Sequence, residues 1–311
     1  GRAGGHMALD GGPQPRDHSQ NNCIQSDRTN MGTSAITVTP VSGATGADVA
    51  GVALSRTLSN AEWDRIHQAF LDHQVLRFRG QNLTPGDHLA FARHFGPIQA
   101  YPYGKGLPDH PDVLEFQRNP SDDRNFGGLW HSDTTYLPEP PLATMLVARE
   151  LPPVGGDTLF ANMYLAYEGL SPGMQELLGG LKAVFSATKR YMAEDRVAVH
   201  SGNALKGADK GTTTEAVHPV VRIHPETGRK ALYVNRGHTV RFEGWSEEES
   251  AGLLEHLFAR AERPEYQCRM NWQDGTLIVW DNRCLQHFAV DDYPGQRRAM
   301  HRVTVAGNAP F

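Results

Sequence analysis

Short runs of β-branched, aromatic and aliphatic residues, bounded by turn-forming residues, constrain most strongly what this 311-residue chain can fold into. They occur at residues 35–40, 75–78, 113–117, 129–135, 144–148, 158–161, 217–223, 232–234, 267–272, 276–280 and 298–305. Strand and helix patterns do not alternate regularly between these runs, which excludes a doubly wound parallel sheet. Many short strands instead indicate a β-sandwich or jelly-roll core.

A few amphipathic segments predict helices outside this core. Ser59 and Thr84 are candidate N-caps, the second for a helix over residues 85–95. Ser246 and Glu249 have the spacing of a capping box at the start of a helix that runs to residue 263. Shorter helices are expected around residues 166–168 and 173–178. We therefore predict a mainly β protein with flanking helices.

The first 30 residues differ from the rest of the chain. They are rich in Gly, Pro, Gln, Asn and Ser and include Gly5-His6-Met7, which resembles a cloning remnant. We expect a tag or disordered leader over residues 1–33 and a single domain over residues 34–311. Met7 and Met31 both remain candidates for the native start.

Composition excludes several classes of protein. Lys and Arg number 30 against 35 Asp and Glu, so the basic excess of a nucleic-acid-binding protein is missing. The apolar runs are far too short to span a membrane. Three cysteines lie far apart in the sequence, and no secretory signal peptide is recognisable. Reduced thiols and a cytoplasmic location are therefore expected.

Three residues form a candidate metal site. His131 and Asp133 are two positions apart in a segment that reads as extended, so both side chains would point to one face. A lone His-x-Asp pair can equally be a surface pair, and a third ligand is needed. His287, just past the run at 276–280, is the best candidate. The other histidines lack such partners, and those in helical segments, such as His88, are expected at the surface or as caps.

Two imidazoles and one carboxylate form a facial triad that leaves positions open on Fe(II). A 2-oxo acid can chelate at two open positions, and O2 can take the third. The distal carboxylate of 2-oxoglutarate needs a cation, and Arg298 and Arg302 share one face of a predicted strand. The alternative is that both arginines pair with Asp291 or Asp292. Thr158 could add a hydroxyl to the same carboxylate.

Several motifs together resemble the taurine dioxygenase family of Fe(II)/2-oxoglutarate-dependent oxygenases, over residues 35–311. These motifs are Trp130-His131-Ser132-Asp133, Gly155-Gly156-Asp157-Thr158, Trp280-Asp281-Asn282-Arg283, Gln286-His287, Arg297-Arg298 and His301-Arg302. Met163-Tyr164 and Ser186-Ala187-Thr188 also look like the aryloxyalkanoate-cleaving branch.

This resemblance implies a double-stranded β-helix, or jelly roll, that uses Fe(II), 2-oxoglutarate and O2. It implies His131, Asp133 and His287 as catalytic metal ligands. It also implies Thr158 and Arg298 as 2-oxoglutarate contacts. Self-association into a homo-oligomer is common in the family. The intact Asp133 is unlike the related halogenases, so hydroxylation is expected.

The resemblance also bears on the substrate, because Arg302 matches the position that faces the anionic group in sulfonate-oxidising members. Tyr101 stands where taurine-oxidising members carry a histidine, which argues against taurine itself. Together with Thr134, these residues are the predicted substrate contacts. A small anionic substrate of the sulfonate, sulfate ester or aryloxyalkanoate type is expected, with neither nucleic acid nor membrane as a partner.

Two other functions remain open. One is a tailoring oxygenase that acts on a larger biosynthetic intermediate, which would leave Arg302 with a structural partner. The other is a non-catalytic protein that binds a metal or 2-oxoglutarate.

Overall fold

The computed structural model describes residues 35–100, 106–122, 127–187 and 215–311. Sixteen strands lie within these ranges. They are β1 (Thr37–Pro40), β2 (Ala47–Ala50), β3 (Val75–Phe78), β4 (Gly106–Leu107), β5 (His110–Arg118), β6 (Ala143–Glu150), β7 (Thr158–Asn162), β8 (Lys182–Ser186), β9 (Glu215–Pro219), β10 (Val221–Ile223), β11 (Lys230–Leu232), β12 (Thr239–Phe242), β13 (Gln267–Met270), β14 (Leu277–Asp281), β15 (Leu285–Ala289) and β16 (Arg298–Val305).

The strands form one large sheet and three small ones. The large sheet has the order β1-β2-β3-β14-β6-β16-β5-β4, and its pairs are antiparallel except β2 with β3. The small sheets are β13-β7-β15, β12-β8-β9 and β10-β11. This mainly β architecture is the predicted jelly-roll core with flanking helices. Residues 34–311 form one compact unit, while the assignment of residues 1–33 as a leader stays a prediction.

Five α-helices flank the sheets within the described ranges. They are α1 (Asn60–His73), α2 (Pro85–Ala92), α3 (Met163–Glu168), α4 (Pro172–Gly179) and α5 (Glu247–Ala261). Ser59, Thr84 and Ser246 each cap a helix through a reciprocal capping box, which confirms the predicted starts. The predicted ends of α2 and α5 were two to three residues too far along the chain. None of the described helices has the length and apolar character needed to cross a membrane.

The two faces of the large sheet have different roles. On the outer face, α1 packs against β2 and β3, and α2 packs against β5 and β16. Phe70, Phe91, Met145, Val279 and Val303 belong to this core. Arg302 and Thr304 alternate with Val303 along β16 and therefore lie on the inner face. This inner face contributes polar side chains to the candidate site.

Candidate active site

His131 and His287 are joined directly through their backbones. His131 N–H donates to the carbonyl of His287 at 3.2 Å, and His287 N–H donates to the carbonyl of His131 at 2.8 Å. Their ring centroids are 4.2 Å apart, and both side chains are buried. His287 belongs to β15, a strand that the sequence did not predict, whereas His131 lies in the segment between β5 and β6.

The prediction that residues 129–135 form a strand is wrong. Only His131 takes part in a β-bridge, and the chain turns immediately after Ser132. Thr134 has a φ of +40°, and Leu137 N–H donates to its carbonyl at 2.9 Å, which closes the turn. A non-glycine residue in this region costs about 1–2 kcal/mol. Asp133 therefore lies beside His131 without the strand alternation that the sequence predicted.

Asp133 presents one carboxylate oxygen to both histidines. Its Oδ1 lies 3.9 Å from Nε2 of His131 and 3.8 Å from Nε2 of His287. All three side chains are buried, and their ligand atoms lie within 4.8 Å of one another. The predicted triad is therefore assembled in space from a turn and a strand that are distant in the sequence.

The hydrogen bonding of His131 suits a metal ligand. Its Nδ1 lies 2.6 Å from the carbonyl oxygen of Leu129, which can only accept a hydrogen bond. Nδ1 therefore carries the proton, and Nε2 is left with a lone pair directed towards Asp133. Two imidazoles and one carboxylate in one buried cluster are a donor set that fits Fe(II).

Arg302 from β16 lies against the same carboxylate. Its Nη2 is 3.1 Å from Oδ1 of Asp133, and its Nε donates to the hydroxyl of Thr304 at 3.2 Å. The guanidinium carbon is 5.5 Å from the ring centroid of Phe116 on β5. Arg302 thus places a positive charge at the edge of the triad.

The acidic partners considered for the arginines of β16 are engaged elsewhere. Asp291 forms an ion pair with Arg118, and Asp292 accepts from the backbone N–H of Gly156 and from Arg269.

Thr158, Trp272 and Arg298 form a second group. Trp272 Nε1 donates to the hydroxyl of Thr158 at 3.1 Å, and the Arg298 guanidinium lies 5.6 Å from the Trp272 ring. Burial lowers the pKa of Arg298, and its Nε has no hydrogen-bond partner among the described residues. Arg298 is only partly exposed, and a guanidinium whose Nε lacks a partner favours an anion.

The strand register relates this group to the triad. Phe160 pairs with His287 and Thr158 with Ala289, so Thr158, Phe160 and His287 point to the same face of the β7–β15 pair. Residues two apart on a strand are separated by about 7 Å. A short dicarboxylate can therefore extend from the triad towards Thr158.

Gly156 adjoins the Arg298 side chain. Its φ is +73°, and a Cβ built there would lie 3.3 Å from Arg298 Cδ and Nε. The backbone conformation and the close approach both favour glycine.

A second buried cluster contains His224, Asp281 and Cys284. Arg283 donates to both carboxylate oxygens of Asp281 at 2.8 and 2.7 Å, and His224 Nε2 lies 3.0 Å from Oδ2. Burial raises the pKa of Asp281, but Arg283 and His224 outweigh it, and the net shift is downward. These contacts already satisfy the carboxylate, so we interpret the cluster as a structural ion pair between Asp281, at the end of β14, and Arg283.

Two of the predicted substrate contacts, Thr134 and Tyr101, stay predictions. Thr134 is buried in the turn that directly follows Asp133, and its contact with substrate stays a prediction. Tyr101 lies outside the described residues. Sequence reasoning assigned no role to Trp272, Thr144 or Asn282. Asn282 belongs to the motif Trp280-Asp281-Asn282-Arg283, which could have indicated a role. The sequence around Thr144 resembles an ordinary strand and does not indicate one.

The jelly-roll fold and the buried triad of two histidines and one aspartate define an Fe(II)- and 2-oxoglutarate-dependent dioxygenase, which uses O2 as its oxidant. The model of the taurine catabolism dioxygenase TauD, TfdA family matches residues 37–304, and the chain belongs to this family.

Similar proteins support this assignment. The chain is 35% identical over 270 residues to an alkylsulfatase of Acinetobacter baylyi, covering 86% of this chain and 84% of that protein. It is 36% identical over 277 residues to an alpha-ketoglutarate-dependent sulfate ester dioxygenase of Pseudomonas putida, covering 88% and 90%. The crystal structure of a taurine dioxygenase from Burkholderia xenovorans is 33% identical, with a TM-score of 0.75 and coverage of 88% and 92%.

Proposed function

We propose that the enzyme hydroxylates a C–H bond of a small anionic substrate of the sulfonate, sulfate ester or aryloxyalkanoate type, with release of succinate and CO2. The observation that carries this proposal is Arg302, whose guanidinium lies 3.1 Å from the Asp133 carboxylate. An anionic head group held by Arg302 sits beside the metal site, with the adjacent carbon close to it. The similarity to the alkylsulfatase and the sulfate ester dioxygenase also favours this class of substrate.

In this proposal His131, Asp133 and His287 hold the metal. Fe(II) bound there supplies, with 2-oxoglutarate and O2, the oxidising power for hydroxylation. His131 contributes Nε2 because Leu129 holds the Nδ1 proton. The burial of all three side chains keeps water away from the reacting carbon.

We assign the distal carboxylate of 2-oxoglutarate to Arg298 and Thr158. Arg298 supplies a partly buried positive charge, and Trp272 orients the Thr158 hydroxyl through its indole N–H. Because the Trp272 N–H donates to Thr158 Oγ1, the Thr158 proton remains available for the carboxylate.

The position of the hydroxylated carbon determines the product. Hydroxylation of the carbon that bears a sulfate ester, sulfonate or aryl ether forms an unstable hemiacetal-like centre. Its collapse forms a carbonyl group, breaks the bond to the heteroatom and expels sulfate, sulfite or a phenol. Arg302 is placed to bind the anionic group through charge-assisted hydrogen bonds.

Succinate release tests the proposal directly. The protein is assayed with Fe(II), ascorbate and 2-oxoglutarate against sulfonates, alkyl sulfates, aryloxyalkanoates and neutral terpenoids. We expect stimulation above the no-substrate background by one anionic group. Stimulation by terpenoids alone would support a tailoring oxygenase, and a lack of even uncoupled turnover would support a non-catalytic binding protein. The relatives reported above do not favour either alternative.

We also propose that the enzyme works in the cytoplasm as a homo-oligomer. Cys268 and Cys284 are both free and buried, which suits a reducing compartment. Size-exclusion chromatography with light scattering tests the oligomeric state, and a monomer at micromolar concentration would overturn that part.

A further inference from the structure

We propose that Thr144 and Asn282 are positioning residues that keep the Asp133 carboxylate monodentate, so that only Oδ1 reaches the metal. This inference rests on the proposed function, because it takes Asp133 as a metal ligand. Neither residue touches the reacting atoms in this proposal. Both act through Asp133.

The two carboxylate oxygens of Asp133 have different surroundings. Oδ1 faces His131, His287 and Arg302. Oδ2 accepts a hydrogen bond of 2.7 Å from the hydroxyl of Thr144. Rotation of the carboxylate to bring both oxygens to one ion would break this hydrogen bond in a buried site.

Asn282 determines the direction of the Thr144 hydroxyl. Trp280 Nε1 can only donate, and it lies 3.0 Å from Oδ1 of Asn282, which identifies this amide atom as the oxygen. The amide nitrogen therefore faces Thr144 and donates to its Oγ1 at 3.0 Å. Because that N–H occupies a lone pair of the hydroxyl, the hydroxyl proton is directed to Asp133.

The same amide also holds the backbone of Asp133, whose N–H donates to Asn282 Oδ1 at 3.3 Å. Asn282 thus contacts the ligand residue directly through its backbone and indirectly through Thr144. Both residues are at most 1% exposed, which strengthens these hydrogen bonds relative to water.

Thr144 and Asn282, which together we call the clamp, lie in or beside the central strands of the large sheet. Thr144 in β6 pairs with Trp280 of β14 on one side and with Thr304 of β16 on the other. The Asn282 N–H donates to the carbonyl of Leu142, which ties the end of β14 to the start of β6. Asp133, in contrast, lies in a turn and depends on these contacts for its orientation.

A monodentate Asp133 has a consequence for the reaction. Three protein ligand atoms leave three positions of an octahedral ion for 2-oxoglutarate and O2. A bidentate carboxylate would take one of these positions. We therefore expect the clamp to determine both metal affinity and the number of open positions.

The test compares four proteins by Co(II) titration and by the d–d absorption of the Co(II) form, which reports coordination. In Thr144→Val, which removes the hydroxyl but keeps the shape, we expect Co(II) affinity to fall 10- to 100-fold and the spectrum to change. Thr144→Ser, which restores a hydroxyl, should behave as the wild type does. Thr276→Val is the matched control, because Thr276 is equally buried but its hydroxyl accepts from Gln273 N–H and makes no hydrogen bond to Asp133.

The outcomes separate this inference from the proposed function. A wild-type protein that does not bind one Co(II) per chain would overturn the triad itself. Wild-type affinity and spectrum in Thr144→Val would overturn only the clamp, as would an equal loss in Thr276→Val. If circular dichroism shows that Thr144→Val does not fold, Asn282→Ala is used instead, because it removes the donor that directs the Thr144 hydroxyl towards Asp133. Its Co(II) affinity and spectrum then test the clamp.

Discussion

Nη2 of Arg302 and Oδ1 of Asp133 are 3.1 Å apart, and the same oxygen faces the Nε2 atoms of His131 and His287. One carboxylate oxygen therefore joins the candidate metal site to the candidate substrate site. Because the two sites share this atom, an anion bound to Arg302 cannot lie far from the metal. Under the proposed function, the substrate would therefore react next to its anionic group.

The first prediction concerns Arg302. In Arg302→Leu we expect the KM for the anionic substrate to rise roughly 10- to 100-fold, because a hydrogen bond to a charged group contributes about 1.5–3 kcal/mol. Binding of 2-oxoglutarate should be retained, since Arg298 remains in place. The KM is measured by succinate release and 2-oxoglutarate binding by calorimetry.

Arg297→Leu is the matched control, because Arg297 is exposed and pairs with Glu150. An unchanged KM in Arg302→Leu would contradict the proposal that the substrate is anionic. Loss of 2-oxoglutarate binding would assign Arg302 to the cosubstrate instead.

The second prediction concerns the metal. His131→Ala removes one of three ligands and should abolish stoichiometric Fe(II) binding in an anaerobic titration. His67→Ala changes a partly exposed histidine that pairs with Glu226 and should bind as the wild type does. A His131→Ala protein that still bound one iron per chain with unchanged affinity would refute the triad.

The third prediction concerns Trp272. Trp272→Phe keeps an aromatic face for Arg298 but removes the N–H donor to Thr158. The KM for 2-oxoglutarate should rise about 5-fold, in line with the roughly 1 kcal/mol of a neutral hydrogen bond. Trp245→Phe, at a partly exposed site on the surface, serves as the control. Equal KM values in all three proteins would contradict the role of Trp272 in orienting Thr158.

The fourth prediction concerns acid stability. Contrary to the surface or cap role expected from the sequence, His88 of α2 is fully buried, and its two ring nitrogens have no hydrogen-bond partner among the described residues. Burial, with Arg149 and His301 nearby, lowers the pKa of His88 from 6.5 to about 3. The unfolded chain therefore takes up a proton at His88 before the folded one does.

The stabilising contribution of neutral His88 is complete above pH 6.5 and is lost as the pH falls towards 3. Between pH 7 and pH 5 this loss is about 2 kcal/mol in the free energy of unfolding. Urea denaturation at both pH values should show a correspondingly smaller difference in His88→Leu. The same pH difference in His88→Leu and wild type would contradict the assignment, and His256→Ala, at an exposed site on α5, controls for the loss of a histidine.

The fifth prediction concerns domain organisation. Removal of residues 1–33 should leave the melting temperature and the uncoupled turnover of 2-oxoglutarate unchanged, because residues 34–311 form one compact unit. Calorimetry and succinate release on the shortened chain check this. A fall in the melting temperature of several degrees would show that the leader belongs to the fold.

Helix starts and some strands were predictable because residues close to them in the sequence determine them. Ser59 and Thr84 were predicted as N-caps and Ser246 as part of a capping box, all from residues close in the sequence, and the structure confirms these three helix starts. The strands at 75–78 and 298–305 were also predicted with the observed bounds, because buried alternating or apolar runs mark them.

Other elements depend on partners that are far away in the sequence. Strand β15 was missed because its burial comes from pairing with β7, while its own sequence mixes Gln286 and His287 with apolar residues. The segment 129–135 was misread because its threonines and aromatic residues favour a strand. Its turn is held by Thr144 and Asn282, which lie in or beside other strands.

The sequence alone predicted a mainly β fold, for which the family resemblance implied a jelly roll. It also identified the three candidate ligands and the arginines on β16, because residue type and spacing limit which chemistry they can support. Only the tertiary structure decided how the ligands converge and which oxygen of Asp133 meets Arg302. It also decided that Thr144 and Asn282 orient that carboxylate. The physical reason is that a hydrogen bond between distant strands depends on sheet register, and register arises from the packing of the whole sheet rather than from any local run of residues.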